Sequence, residues 1–232
     1  MHKKHPRKKV FSAIKERRAA SVLGVLKKTY SHATIALQFN SPIHLLVAVI
    51  LSAQCTDKKV NEVTRALFKK YKTVNDFANA DTKTFEQEIR PTGFYRAKTK
   101  SVITTAKMLR DEYNGKIPHT MKDILKLRGV ARKTANVVLG NAYGIVEGIA
   151  VDTHVKRLAG RLGFSTSQDP VKIERDLMAL FHKKDWFKLT YMLIDHGRAI
   201  CKAPTPKCEM CPVIKLCPTG RGRLGRSPLP KE

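Results

Sequence analysis

The sequence predicts an all-α protein, and two observations support that class: the helical periodicity of its apolar residues and the scarcity of strand patterns. Apolar residues recur at helical spacing along most of the chain, and few segments show the alternation that strands require. The 232 residues are enough for one large domain or two small ones with cores of their own. The longest apolar run, Leu45 to Leu51, is far shorter than the roughly 20 residues that span a bilayer. We therefore expect no membrane-spanning helix.

The chain is strongly basic, which indicates a polyanionic partner. Lys and Arg total 45 against 19 Asp and Glu, a formal net charge of +26. Nucleic acid is the first candidate and an anionic membrane surface the second. The sequence contains no recognisable secretory signal or cleavage site. We therefore expect an intracellular protein, with a basic organelle transit peptide as the open alternative.

The first half of the chain divides into helices at its polar, Gly and Pro residues. Residues 1–9 contain five Lys and Arg residues and little apolar material, so we expect a disordered basic arm. Ser41 and Pro42 are typical of a helix N-cap and first helical residue, and the apolar run after them predicts a buried helix. A loop is expected over residues 91–95. Helices are predicted over residues 10–30, 43–52, 58–70, 73–80, 82–89 and 96–113.

Residues 127–139 predict a helix, a tight turn and a second helix. Gly129 lies at the turn, where it can adopt a positive φ. Lys133 falls in the first turn of the second helix beside Arg132, where unpaired backbone N–H groups can bind a phosphate. A lysine near that partial positive charge is harder to protonate and hence a better nucleophile. The alternative is that Lys133 only contacts phosphate or solvent. The apolar face of this helix is formed by Ala131, Ala135, Val138, Leu139 and Ala142.

The second half of the chain continues as helices and ends in a basic segment. Asp152 is placed to cap a helix over residues 153–162, which Gly163 ends. It has two interpretations here, a helix cap alone or a carboxylate that also takes part in chemistry. Further helices are predicted over residues 170–181 and 186–200. Residues 221–232 contain Arg, Gly and Pro, and we expect them to form a flexible tail.

Four of the five cysteines lie within 17 residues and form a candidate metal site. Their spacing is Cys201-x6-Cys208-x2-Cys211-x5-Cys217. Intervening prolines exclude a continuous helix, so the segment is a loop that can surround a ligand. Four thiolates fit either a cubane iron–sulfur cluster or a structural zinc ion. The single C-x2-C pair favours iron–sulfur, since zinc sites usually have two such pairs. Three basic residues lie among the cysteines and can contact phosphates or offset the negative charge of a cluster: Lys202, Lys207 and Lys215.

Several separated motifs point to one family. They are residues 127–133, the four-cysteine spacing, Ser52-Ala53-Gln54, Gly93-Phe94-Tyr95, Val151-Asp152-Thr153-His154 and His196-Gly197-Arg198. Together they resemble the endonuclease III family, the helix–hairpin–helix DNA glycosylases that carry an iron–sulfur cluster. The resemblance covers roughly residues 20–217 in the right order, which makes it specific.

The resemblance implies two helical domains on either side of a DNA-binding cleft. A six-helix barrel domain with the helix–hairpin–helix would span residues 35–146. A domain holding a [4Fe-4S] cluster on Cys201, Cys208, Cys211 and Cys217 would be formed by residues 10–34 and 147–220. The implied partner is double-stranded DNA that contains damaged bases or abasic sites, bound by a monomer. The expected location is the cytoplasm, at the nucleoid, in a bacterium or archaeon, and the nucleus or an organelle in a eukaryote.

The resemblance also implies an activity, namely a bifunctional DNA glycosylase and AP lyase of base excision repair. Lys133 occupies the catalytic lysine position and Asp152 that of the essential aspartate. Gln54 and Phe94 match positions that wedge into the duplex where the damaged base leaves. The family implies oxidised pyrimidines as the bases removed. The DNA-binding positions are Gln54, Phe94, Arg128, Gly129, Ala131, Arg132, Lys202 and Lys207.

The hairpin departs from the usual Leu-Pro-Gly-Val-Gly of the family at two positions. Arg128 replaces the proline and adds a cation that can contact phosphate. Ala131 replaces the second glycine, and an ordinary helical φ is therefore required at a position that glycine often fills. Phe94 stands where a leucine is common in the family, and it is expected to stack or wedge at least as well.

Two other functions stay open. A monofunctional, adenine-specific mismatch glycosylase would lack the lysine and carry a further C-terminal recognition domain, whereas this chain ends 15 residues after Cys217. A non-catalytic helix–hairpin–helix DNA-binding protein with a structural metal would bind through phosphate charge alone. The presence of both Lys133 and Asp152 argues against the non-catalytic function.

Overall fold

The structure, a computed structural model, describes residues 6–227, and within them it confirms the all-α prediction. No strand occurs in that range. The expected arm residues 1–5 and tail residues 228–232 lie outside the described part. The helices are α1 Pro6–Thr29, α2 Pro42–Leu51, α3 Asp57–Lys70, α4 Val74–Ala78, α5 Thr82–Ile89, α6 Tyr95–Glu112, α7 Met121–Ile124, α8 Arg132–Tyr143, α9 Thr153–Arg161, α10 Pro170–Leu180, α11 Lys183–Ala199 and α12 Pro218–Arg223. Short 3₁₀ turns cover Arg90–Thr92, Cys208–Met210 and Ile214–Leu216.

The chain divides into two compact units. One unit is formed by residues 35–147, and the other joins the segments on either side of it, up to Thr34 and from Gly148 onward. The first unit therefore contains α2 to α8, and the second contains α1 and α9 to α12. Within residues 6–227, no helix combines the length and apolar character that crossing a bilayer would take.

The unit of residues 35–147 is built around α2, which the sequence predicted as a buried helix. Every residue from Ile43 to Leu51 is buried. The hydroxyl of Ser41 accepts the backbone N–H of His44 and so caps the helix, as predicted. Because His44 is buried, its ring needs a polar partner, and its Nε2 lies 2.9 Å from the carbonyl oxygen of Tyr71. Helices α3, α6 and α8 pack against α2.

The second unit is organised around α1, which packs on α10 and α11. Arg18 of α1 is buried, and its guanidinium donates hydrogen bonds to the carbonyl oxygens of Leu162 and Leu216. Lys27 forms a 2.6 Å ion pair with Asp185 of α11. These contacts join the N-terminal helix to segments more than 140 positions later in the chain.

Both ends of the described chain differ from the prediction. Helix α1 begins at Pro6, so residues 6–9 are helical and not part of a disordered arm; a proline suits the first helical turn, whose N–H has no partner. Residues 221–223 belong to α12 and not to a flexible tail. That helix starts after Cys217, whose Sγ accepts the backbone N–H of Gly220 at 3.3 Å and so caps it.

Candidate active site

The predicted hairpin is present between α7 and α8, and its turn is anchored by buried side chains and by a hydrogen bond. Gly129 has φ +78, the left-handed conformation expected of it. Leu127 and Val130 on either side are buried and anchor the turn. The hydroxyl of Thr105 donates a 2.7 Å hydrogen bond to the carbonyl oxygen of Arg128. The exposed loop of the hairpin is therefore fixed to α6 by packing and by a hydrogen bond.

Lys133 lies exposed in the first turn of α8, at a helix N-terminus without a side-chain cap. The N-cap residue is Ala131, whose methyl group cannot accept a hydrogen bond. Ala131 has a negative φ of −89, as expected, but its ψ of 171 is extended. It therefore precedes α8 and is not part of the helix face predicted for it, because the chain must leave the Gly129 turn before α8 starts. The uncapped N–H groups and the exposed cations of Arg128 and Lys133 form a cationic hairpin surface suited to phosphate.

Asp152 belongs to the other unit and is the N-cap of α9, as predicted. Its Oδ1 accepts the backbone N–H of Val155 at 2.8 Å, and its Oδ2 lies 3.2 Å from Nδ1 of His154. Its side chain stays 18% exposed, so it is accessible in addition to capping the helix. His154 is in turn packed against Gly197, where an added Cβ would lie 3.0 Å from the His154 ring. The structure thus places His154 of the Val151-Asp152-Thr153-His154 motif against Gly197 of the His196-Gly197-Arg198 motif.

Gln54 and Phe94, the two predicted wedge residues, share an unusual backbone conformation. Both are non-glycine residues with positive φ, 52° and 48° respectively. Both side chains are exposed, and Phe94 keeps 64% of its surface accessible. An exposed phenylalanine in a strained turn has no role in the core, and such strain is often found at functional sites.

The four predicted metal ligands line one cavity in the unit that contains α9 to α12. Cys201, Cys208, Cys211 and Cys217 surround it together with His196 and Arg161. Among the described residues, no three His, Cys, Asp or Glu side chains converge closely enough to hold a single metal ion. The four thiols that line the cavity provide the donor number of either an iron–sulfur cluster or a structural zinc ion.

The sulfur atoms of the four cysteines in the cavity need a nearby positive charge before all of them can be ionised as thiolates. Burial, reinforced by the charges of the other three cysteines, raises the pKa of Cys211 to about 11. Arg161 approaches the Cys201 sulfur at 3.3 Å and also donates to the carbonyl oxygens of Lys202 and Pro204. These contacts hold the first part of the cysteine loop, so the donor set and its surroundings fit an iron–sulfur cluster.

His196 connects the cavity to Tyr30, the residue that follows α1. It is buried, and burial lowers its pKa to about 4, so the ring is neutral. Its Nδ1 lies 2.9 Å from the hydroxyl of Tyr30, and its Nε2 lies 3.6 Å from the Cys211 sulfur. A thiolate ligand has no proton to donate, so a favourable contact requires the proton on Nε2 and a hydrogen bond from Tyr30 to Nδ1.

The remaining predicted DNA contacts lie either on the hairpin or on the cysteine loop. Arg128, Gly129, Ala131 and Arg132 lie on the hairpin with Lys133. Lys202 and Lys207 are exposed on the cysteine loop. Sequence reasoning missed Arg161 and the contacts of His196, and it missed Lys98, a buried lysine beneath the Gln54 and Phe94 turns. No local pattern distinguishes Lys98 or Arg161 from the many surface cations of this chain.

The helical fold of residues 6–227 and the cationic glycine-turn hairpin define the class of this protein as a helix–hairpin–helix nucleic-acid-binding protein. The model of the HhH-GPD superfamily base excision DNA repair proteins matches residues 47–183. Endonuclease III of Synechocystis sp. is 48% identical over 90% of this chain and 95% of its own length. Endonuclease III of Bacillus subtilis is 44% identical over 84% of this chain and 89% of its own length.

Solved structures agree with these relatives. A non-covalent endonuclease III–DNA complex is 40% identical, with a TM-score of 0.86 over 91% of this chain and 99% of that one. A trapped endonuclease III–DNA covalent intermediate is 41% identical, with a TM-score of 0.86 over 90% and 98%. The chain belongs to the HhH-GPD superfamily and, within it, to the endonuclease III family. It is accordingly a base excision repair enzyme, a DNA glycosylase with AP lyase activity.

Proposed function

We propose that this enzyme removes oxidised pyrimidines from duplex DNA and cleaves the abasic strand through a Schiff base on Lys133. The observation that carries the proposal is the exposed Lys133 amine in the first turn of an uncapped helix, directly after the Gly129 turn. A 41% identical relative has been solved as a trapped covalent intermediate with DNA, which supports a covalent nucleophile. Double-stranded DNA with damaged bases or abasic sites is the proposed substrate.

The damaged base must leave the stack before any side chain can reach its sugar. Extrusion costs a few kcal/mol and is easiest for damaged or mispaired bases. Gln54 is proposed to fill the gap and to hydrogen-bond the orphaned partner base. Phe94, which exposes 64% of its surface, is proposed to wedge against the neighbouring base pair. Both roles use side chains that the fold leaves exposed on strained turns.

The chemical steps then centre on Lys133 and Asp152. The Lys133 Nζ forms a bond to C1′ as the glycosidic bond breaks, and the base leaves with the bonding electrons and gains a proton. Opening of the sugar ring gives the Schiff base, and loss of a C2′ proton then breaks the C3′–O bond. Asp152 is proposed to stabilise the cationic sugar and to help deprotonate Lys133. His154, 3.2 Å from Asp152, orients that carboxylate.

Phosphate contacts are proposed to hold the duplex in register. On the hairpin they would come from the cations of Arg128 and Arg132 and from backbone N–H groups around Gly129 and Ala131. On the cysteine loop they would come from Lys202 and Lys207. Because these contacts release counterions, affinity should fall steeply with salt, as the net charge of +26 also implies.

The cofactor proposed for the cysteine cavity is a [4Fe-4S] cluster held by Cys201, Cys208, Cys211 and Cys217. Four thiols around one cavity support a metal group with four cysteine ligands, and the single C-x2-C spacing favours the cluster over zinc. When bound, the cluster would shape the loop that carries Lys202 and Lys207. The endonuclease III relatives from Synechocystis sp. and Bacillus subtilis are bacterial proteins, which supports a location in the cytoplasm at the nucleoid.

The deciding experiment is borohydride trapping on duplex DNA that contains thymine glycol or an abasic site. We expect a covalent adduct with the wild-type enzyme and none with Lys133→Ala, because only the lysine amine can form the reducible imine. Arg132→Ala, which removes a cation from the same helical turn, is the matched control and should still form the adduct at saturating enzyme.

Other outcomes favour the remaining functions. Base release by the metal-replete wild type without any adduct would favour a monofunctional glycosylase. Tight, salt-sensitive binding with neither base release nor an adduct would favour a non-catalytic DNA-binding protein. An adduct that persists in Lys133→Ala would assign the nucleophile to another residue.

A further inference from the structure

Lys98 is a charged side chain that the fold buries almost completely. It lies in the first turn of α6 and exposes only 4% of its surface. Burial of the ammonium group lowers its pKa. The two hydrogen bonds of its Nζ, both 2.8 Å long, go to the carbonyl oxygens of Leu51 and Thr92. A buried cation bound to backbone oxygens is costly, and such groups are usually retained for a specific purpose.

The two acceptors lie at the starts of the two wedge turns. Leu51 is the last residue of α2, and the chain continues from it into Ser52-Ala53-Gln54. Thr92 ends the 3₁₀ turn Arg90–Thr92, and the chain continues into Gly93 and Phe94. Carbonyl groups at helix C-termini lack intrahelical partners and carry partial negative charge. One ammonium group therefore joins the two helix ends from which the Gln54 and Phe94 turns emerge.

Both turns have a strained backbone conformation, which contacts elsewhere in the fold must stabilise. Gln54 and Phe94 have φ values of 52° and 48°, a conformation that non-glycine residues rarely adopt. Both side chains are exposed, so their own packing contributes little to keeping them there. Lys98 lies 47 positions along the chain from Leu51 and six positions from Thr92. It is thus a tertiary contact between segments that are far apart in the chain.

We propose that Lys98 is a positioning residue that fixes the Gln54 turn and the Phe94 turn relative to each other, so that both side chains enter the duplex as one wedge. The inference rests on the proposed function, because it assumes that these two residues act at the extruded base. Lys98 itself does not touch DNA in this scheme. Its ammonium group suits the task because three N–H donors on one compact atom can reach two carbonyl oxygens at once.

The test compares a substrate that must be opened with one that is already open. Lys98→Met keeps the length of the side chain but removes every donor. We expect it to slow base release from a thymine glycol duplex about 10- to 100-fold, the size of effect that small misplacements cause. Borohydride trapping on single-stranded abasic DNA, where no base is extruded from a duplex, should stay within about threefold of wild type. Lys100→Met, which removes an exposed cation from the same helix, should show no duplex-selective loss.

A double-mutant cycle gives a readout that simple destabilisation would not move. With Lys98 present, the effects of Gln54→Ala and Phe94→Ala on base extrusion should be coupled, since the two residues work as a unit. In the Lys98→Met background the two effects should become additive. Extrusion is measured with a fluorescent base analogue beside the lesion, and thermal unfolding of each variant is recorded alongside. If Lys98→Met does not fold, Lys98→Gln, which keeps two N–H donors, is expected to give a smaller loss that is again confined to duplex.

Three outcomes would overturn the proposal. One is an equal loss on duplex and single-stranded substrates, which would make Lys98 a general structural residue. Another is an unchanged rate on duplex. The third is the absence of coupling between Gln54 and Phe94 in wild type. Failure of the proposed lysine chemistry would appear differently, as a missing adduct with wild-type enzyme on both substrates, while the extrusion signal would still report on Lys98.

Discussion

Replacing Gly129 with alanine should damage the hairpin through two separable effects. The first is backbone strain, because Gly129 has φ +78 and an L-residue in the left-handed region costs about 1–2 kcal/mol. The second is steric, since a Cβ built on Gly129 would lie 2.9 Å from Cβ and 3.0 Å from Oγ of Ser101 on α6. Overpacking of this kind costs about 1–3 kcal/mol. The sum is a loss of about 2–5 kcal/mol in the free energy of unfolding.

Gly144 provides the matched control. It ends α8 with φ +66, and a Cβ built on it meets no atom within 4 Å. Gly144→Ala therefore carries the strain without the clash, and the difference between the two variants measures the contact with Ser101. Urea unfolding gives both values. Affinity for duplex DNA with an abasic analogue, measured by fluorescence anisotropy, should fall for Gly129→Ala and change little for Gly144→Ala.

Two results would refute this reasoning. Equal destabilisation by both substitutions would show that Ser101 moves aside without cost. Wild-type affinity in a clearly destabilised Gly129→Ala variant would show that the conformation of the turn does not matter for DNA binding. The first result would leave the positive φ as the reason for a glycine at this turn, and the second would separate the conformation of the turn from DNA binding.

Two further predictions concern the unit that holds the cysteine cavity. Gly197→Ala should lower the single-turnover rate while DNA affinity stays near wild type, because the new Cβ would displace His154, which contacts Asp152. Gly160→Ala is the control, since a Cβ at that position meets open space. An unchanged rate in Gly197→Ala, or an equal loss in Gly160→Ala, would contradict the prediction. Cys208→Ser should lose bound iron, measured by metal analysis, whereas Cys55→Ser should keep it; zinc in the wild-type protein at the expense of iron would disprove the cluster.

Local features of this protein could be predicted from sequence because local interactions decide them. Helix α2 follows from an apolar run behind Ser41 and Pro42, and Asp152 caps α9 through a hydrogen bond to the backbone three residues later. The positive φ of Gly129 likewise reflects a turn that only a few neighbouring residues define. The spacing of the four cysteines predicted that they meet, and all four line one cavity; the metal that they would bind stays a prediction.

Other local predictions failed where a neighbouring turn or an unrecognised helix cap decided the conformation. Ala131 is extended and not helical, because the turn before it must first be completed. The expected flexible tail begins as α12, since the sulfur of Cys217 caps a helix whose first residue is Pro218. A cysteine that is at once a candidate cluster ligand and a helix cap is not recognisable from spacing alone.

The composition, the helical class, the hairpin and the residues able to do chemistry were determined by the sequence itself, because each depends on residue type or on neighbours within about one helical turn. Only the tertiary structure decided which side chains support them. Lys98 reaches Leu51 across 47 positions, and Tyr30 reaches His196 across 166. The physical reason is that burial and hydrogen bonding of these groups depend on how helices pack, and no periodicity along the chain records which distant carbonyl oxygen or ring will meet them.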